Sequence, residues 1–164
     1  MHFEPEYTYH IYNRGNNKGR IFFEQRNYDY FLKKTQKELS GYFDFLAYCL
    51  MPNHFHFLIH VKTTNFGRTV MMPMLVSYTR AVNRDIDRVG TLFQGQYQAK
   101  LVDTTEQLIH LSRYIHLNPV NAGLVQKPED WIFSSYQDYA DLRNGTLPNK
   151  TLIFTIFTDS ADYA

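Results

Sequence analysis

His54-Phe55-His56 sets two imidazoles two residues apart in the run His-Phe-His-Phe-Leu-Ile. On a strand, residues i and i+2 point to one face, so both rings converge and Phe55 faces the other side. Paired neutral imidazoles are ligands for a divalent cation. His60 shares that face but lies about 13 Å farther along at ~3.3 Å per residue, too far to be a third ligand. A second group falls on a helical stretch. Tyr114 has His110 four residues before it and Asn118 four after, so all three share one side of a helix. His116 points roughly 200° away from Tyr114. A tyrosine, with a pKa near ~10, is a weak nucleophile unless a metal and a polarised substrate assist it. Asn118 offers a carbonyl oxygen to the same cation, and His110 competes for that place. Taken singly, these groups also read as two ordinary strand histidines and one of 13 tyrosines.

The elements that must carry them follow from periodicity and turn chemistry. Residues 7–13 are strand formers ending at Arg14-Gly15-Asn16-Asn17, a turn signal. Tyr28, Phe31, Leu32, Thr35 and Leu39 mark a helix over 24–39, stopped by Ser40-Gly41. Residues 42–50 and 54–62 read as a hairpin around Met51-Pro52-Asn53. A helix is expected over 69–89, with Arg80, Arg84 and Arg88 repeating on one face. Alternation predicts a strand over 92–102, with Phe93, Tyr97, Ala99 and Leu101 opposed to Gln94, Gln96, Gln98 and Lys100. Thr104 or Thr105 caps a helix expected to end near Leu117, because Pro119 cannot continue it. A further helix is expected over 128–142. The order β-α-β-β-α-β is that of an α+β ferredoxin-like, split β-α-β antiparallel sheet with helices packed on one face. Residues 1–143 read as one domain. Residues 144–164 read as an apolar C-terminal tail able to cover a sheet edge or a dimer surface.

Composition bounds the reading. The chain has 164 residues, 44% hydrophobic, with 13 Tyr, 13 Phe and one Trp, and folds as a packed globular domain rather than a disordered segment. One cysteine, Cys49, excludes an intramolecular disulfide, and no apolar run is long enough to span a membrane. The chain therefore reads as intracellular. The net charge of +1 hides an asymmetry. Residues 1–100 carry 13 basic and 8 acidic side chains, and residues 101–164 carry 4 and 8. Only the first part suits an anionic polymer.

Three separated segments then agree: His10-Ile-Tyr-Asn-Arg-Gly-Asn-Asn17, Met51-Pro-Asn-His-Phe-His-Phe57 and Arg113-Tyr-Ile-His-Leu-Asn-Pro-Val120. With Phe93-Gln-Gly-Gln-Tyr97 and Trp131…Ser134-Ser135-Tyr136, they resemble the single-tyrosine HUH transposases, and within them the REP-associated tyrosine transposases, over residues 7–140. The resemblance implies His54 and His56 as metal ligands, Asn118 as the third, and Tyr114 as nucleophile. It implies Mg²⁺ or Mn²⁺ as cofactor, single-stranded DNA beside a hairpin as substrate, and a cytoplasmic, nucleoid-associated place in a prokaryotic cell. The reaction implied is strand cleavage and transfer through a 5′-phosphotyrosine link. Asn13, Arg14, Lys18 and Arg20 of the first loop, with Arg80, Arg84 and Arg88, are the expected DNA contacts. Relatives act as monomers or as dimers with shared sites, so a homodimer is a second possible assembly. Two other readings share parts of this pattern. One is a non-catalytic ferredoxin-like module for single-stranded nucleic acid, which lacks an RNP-like sequence here. The other is a replication-initiator or relaxase nickase, for whose extra domains this length leaves little room.

Overall fold

The computed structural model describes residues 3–63 and 70–155. Its strands are β1 (Thr8–Arg14), β2 (Phe43–Met51), β3 (His54–Val61) and β4 (Gln98–Val102), and its helices are α1 (Gln25–Leu39), α2 (Met71–Asp85), α3 (Thr105–Asn121), α4 (Tyr136–Tyr139) and α5 (Thr151–Phe154). The sheet order is β2-β3-β1-β4, with all neighbouring strands antiparallel. β3 lies between β1 and β2, which is the expected ferredoxin-like split β-α-β arrangement.

The pleat sorts side chains into two cores. Ile11, Phe55, Phe57 and Ile59 point to the face covered by α1 and α2, where they meet Phe31, Met74, Leu75 and Tyr78. Ala47, Cys49, Met51 and Leu58 point to the opposite face, where Leu108 and Ile115 of α3 and Tyr139 of α4 cover part of the sheet. Helix packing on one face thus describes α1 and α2, and the helices after β4 add a partial layer on the other face. That second layer leaves Tyr12 and His54 part-exposed beside the buried His10 and His56.

Local chemistry sets the boundaries. Asn27 Oδ1 accepts the backbone N–H groups of Phe23 and Glu24 at 3.0 Å each, which satisfies donors at the start of α1. Thr104 caps α3, its hydroxyl accepting Gln107 N–H at 3.1 Å. α3 runs past the expected stop at Leu117, with Pro119 inside its last turn. A proline there forfeits little, because the final turn is closed by Ala122 N–H to Asn118 O, and Gly123 (φ 68°) takes the left-handed exit.

Three further expectations are corrected. α2 ends at Asp85 rather than 89, so Arg88 lies beyond the helix, off the row of Arg80 and Arg84. Its expected first residue, Thr69, lies outside the described residues. β4 spans only Gln98–Val102, because residues 92–97 fold as a loop across the end of β1, with Gly95 at φ 69°. Gln94 N–H donates to Arg14 O there, and Asn16 N–H donates to Leu92 O. Leu101, expected to be buried, stays half-exposed on this edge strand. The helix expected over 128–142 is broken into a single 3-10 turn at Pro128–Asp130 and the short α4. Between them the chain is drawn along β2: Leu50 N–H donates to Phe133 O, Ser135 N–H to Tyr48 O, and Trp131 Nε1–H to Leu50 O. An open strand edge with unpaired amides outweighs helical propensity over these few residues. The tail continues the cover. Asn149 N–H donates to Phe45 O at 2.7 Å, and Ile153 is fully buried. Ile156 and Phe157 of the expected apolar tail lie outside the described residues.

Candidate active site

The hairpin turn that launches His54 is clamped by the loop after β1. Gly15 N–H donates to Asn53 O (2.7 Å), and Ile21 N–H and Phe22 N–H both donate to Pro52 O (2.8 and 3.1 Å). Only glycine fits at position 15, since a Cβ would sit 1.9 Å from Gly19 O. The Asn-Arg-Gly segment thus serves the geometry of the His-X-His strand.

His54 and His56 share a face as expected, with ring centroids 5.0 Å apart and planes at 85°. Asn53 Nδ2 donates to Lys18 O at 3.2 Å, which turns Asn53 Oδ1 toward His54 Nδ1 at 2.6 Å. An amide oxygen only accepts, so His54 donates from Nδ1 and Nε2 carries its lone pair. Burial pushes His54 below the usual histidine range, and hydrogen bonding with the Asn118 side chain partly opposes this. Burial lowers His56 much further, reinforced by His10 and His54. Both rings are held in the neutral form that binds a cation.

α3 brings Tyr114 to the same place. Its ring centroid lies 5.8 Å from that of His56, at 77°, and Tyr114 is 46% exposed. The phenol is therefore open to a macromolecular substrate. Asn118 Nδ2 donates to Tyr114 O at 2.9 Å. His116 points away, as expected, into the second core. His110 lines a neighbouring cleft of ≈ 610 Å³ with His10, Tyr12, His56, Lys100 and Tyr114, which does not include His54. Among the described residues no third His, Cys, Asp or Glu completes a cluster with the two histidines. Two neutral imidazoles and an amide side chain on one face nevertheless form a donor set that can hold a divalent cation, whose remaining positions water and phosphate oxygens can fill.

A second cleft of ≈ 550 Å³ opens on the other side of Tyr114, lined by Arg14, Lys18, Asn53, Gln94, Gln96 and Gln98 together with the histidines. Arg14 Nε donates to Gln94 Oε1 at 2.6 Å. Asn13 is buried there; its Nδ2 donates to Gly95 O and its Oδ1 accepts Arg14 N–H, so it holds the cleft wall. Arg20 is exposed on the same loop. The other three arginines do not line this cleft. Arg80 lines a groove against Leu92, Phe93 and Gln96, Arg84 faces Arg26 and Tyr30, and Arg88 is spent on Asn83 Oδ1 and Thr91 O.

His10 is the residue of this site to which sequence reasoning gave no role. Its Nε2 lies 2.8 Å from His56 Nδ1. Burial, with Lys100 nearby, lowers its pKa to about 4. The signal was present in the alternation of β1, but the cross-strand register that brings His10 beside His56 is a tertiary fact.

With the geometry set out, the family described as "Transposase IS200 like" matches residues 4–118, which take in the paired histidines, Tyr114 and Asn118. The chain belongs to the IS200-like transposase family. The resemblance carried by its motifs is borne out, and the family is one of DNA-processing enzymes. A REP-associated tyrosine transposase of Haemophilus influenzae is 24% identical over 148 residues, covering 76% of this chain and 84% of that protein. A solved structure of a REP-associated tyrosine transposase bound to a REP hairpin superposes with a TM-score of 0.64 at 15% identity, covering 91% of each chain. The fold is thus shared at 15% sequence identity. No described helix of this transposase is long and apolar enough to cross a membrane.

Proposed function

We propose that the chain is a metal-dependent single-strand DNA endonuclease and strand transferase acting beside hairpins, with Tyr114 as nucleophile. The observation that carries the reading is the meeting of Tyr114 with the His54–His56 face in one chain, 5.8 Å from ring to ring. Tyr114 Oη attacks a backbone phosphorus and forms the phosphotyrosine bond as the bond to the 3′ oxygen breaks. The phenolic proton passes by way of water to the departing 3′ oxygen. The 5′ side stays on Tyr114 until a 3′ hydroxyl attacks the link and frees the tyrosine. Bond energy is conserved, so no nucleotide cofactor is required.

His54, His56 and Asn118 would hold a divalent cation, Mg²⁺ or Mn²⁺, which supplies polarisation of the phosphate and stabilisation of charge on the reacting oxygens. The cleft of Arg14, Lys18 and the three glutamines suits one strand, with cations for phosphates and amides for base edges. Tyr12, between the two clefts, is placed to stack a base. The hairpin partner is carried over from the related structure with its REP hairpin. Because one chain supplies both histidines and the tyrosine, we infer a site that works in a monomer, and a homodimer is not required for it.

The test is incubation with a single-stranded DNA hairpin and Mn²⁺, read on a denaturing gel. Wild-type protein is expected to give nicked DNA and a covalent adduct. Tyr114→Phe removes the adduct, and His54→Ala with His56→Ala removes cleavage. An adduct that survives Tyr114→Phe would refute the assignment.

A further inference from the structure

We propose that His10 is a positioning residue for the cation site: its Nε2 accepts a hydrogen bond from His56 Nδ1–H and so fixes His56 in the tautomer whose Nε2 is free for the metal. The inference rests on the metal-dependent reading above. The two facing nitrogens are 2.8 Å apart and both rings are buried. The ring planes differ by only 21°, and the centroids lie 5.0 Å apart while the nitrogens nearly touch. The rings therefore meet edge to edge and almost coplanar, as a directed N–H···N bond requires, and not face to face.

A neutral imidazole carries one N–H and one lone pair, so this contact has two possible directions. If His56 donates, its Nε2 is bare. If His56 accepts, its Nε2 bears the hydrogen and cannot bind a cation. The neighbouring ligand shows which direction the site uses. Lys18 O fixes the Asn53 amide, and Asn53 Oδ1 fixes His54 as the Nδ1–H tautomer, so His54 Nε2 carries a lone pair. Two ligands of one ion must both present lone pairs, and His10 does for His56 what Asn53 does for His54. Such outer partners orient a ligand and raise its basicity. His10 is not itself a third ligand. The β1–β3 register pairs His10 with Leu58, on the far side of His56 from His54, and its Nε2 already faces His56.

The test uses the full chain without DNA. Imidazole ¹⁵N shifts of the metal-free wild type are expected to show His56 as the Nδ1–H tautomer. Mn²⁺ titration followed by electron paramagnetic resonance is expected to show roughly 10–100-fold weaker binding in His10→Phe. His10→Gln, which keeps an acceptor at a similar reach, is expected to restore near-wild-type affinity. A role in packing alone would lower the thermal midpoint in both variants without this rescue. Finding His56 as the Nε2–H tautomer overturns the proposal and needs no variant to fold. So does wild-type Mn²⁺ affinity in His10→Phe while His54→Ala with His56→Ala abolishes binding; that outcome leaves the metal reading standing. A wild-type protein that binds no Mn²⁺ overturns both.

Discussion

At the scale of single residues, the site is governed by which atom of a side chain is already engaged. Asn53, fixed by Lys18 O, decides the tautomer of His54. Asn118 spends its Nδ2 on Tyr114 O, which leaves Oδ1, the atom suited to a hard cation, without that duty. Its side chain also reaches His54. His110 shares the helix side but lines the cleft that reaches His56 and not His54. The competition between these two for the third ligand position therefore has a predicted outcome. Asn118→Ala is expected to weaken Mn²⁺ binding roughly tenfold, the scale seen when a partner of a metal site is lost. His110→Ala is expected to leave the affinity unchanged. Calorimetric titration of both variants decides it, and the reverse result would transfer the role to His110.

At the scale of elements, Tyr114 is aimed by the opposite side of α3. His116 is 1% exposed, and its Nε2 lies 2.7 Å from Ser135 Oγ, which also accepts Tyr48 N–H at 2.9 Å. This pin ties α3 to the edge of β2 and sets the helix rotation that turns Tyr114 toward His56. Full burial lowers the pKa of His116 to about 3. The unfolded chain takes up that proton near pH ~6.5, well before the folded one. The contribution is therefore complete above pH ~6.5 and is lost as pH falls toward 3. Between pH 7 and 4.5 the His116 share of the loss is roughly 2–3 kcal/mol. Urea midpoints across that range are expected to fall less steeply in His116→Leu, which is also less stable at pH 7. Equal slopes in the two proteins would remove His116 as the cause.

Much of this scale was legible beforehand. The hairpin, α1 and the opposite directions of His116 and Tyr114 on α3 follow from local period and turn chemistry. The convergence of His54 and His56 follows from strand alternation alone. The rest needed the fold. Trp131–Ser135 gave up helix to satisfy the amides of β2, Gly95 bent the residues expected to begin β4, and His10 reached His56 only through cross-strand register.

At the scale of the whole molecule, the excess positive charge of residues 1–100 is not delivered evenly to the cleft. The sheet separates it. Arg14 and Lys18 line the site, whereas α2 packs on the opposite face, with Arg84 facing Arg26 and with Arg88 bonded to Asn83 and Thr91. Counting cations along the sequence therefore overstates the electrostatic footprint. Each phosphate neutralised on a single strand contributes about −0.7 to the slope of log affinity against log salt. Replacing both Arg14 and Lys18 by Ala is expected to make that slope shallower by about 1.4, whereas replacing both Arg84 and Arg88 is expected to leave it unchanged. Filter binding of a labelled single-stranded hairpin in EDTA across a salt series measures both. EDTA keeps cleavage and any cation at the histidines out of the comparison. A slope that moves with the α2 pair and not with the loop pair would place the DNA across the helical face of the sheet instead. It would also separate the binding surface from the tyrosine, which no single-chain site of this geometry could tolerate.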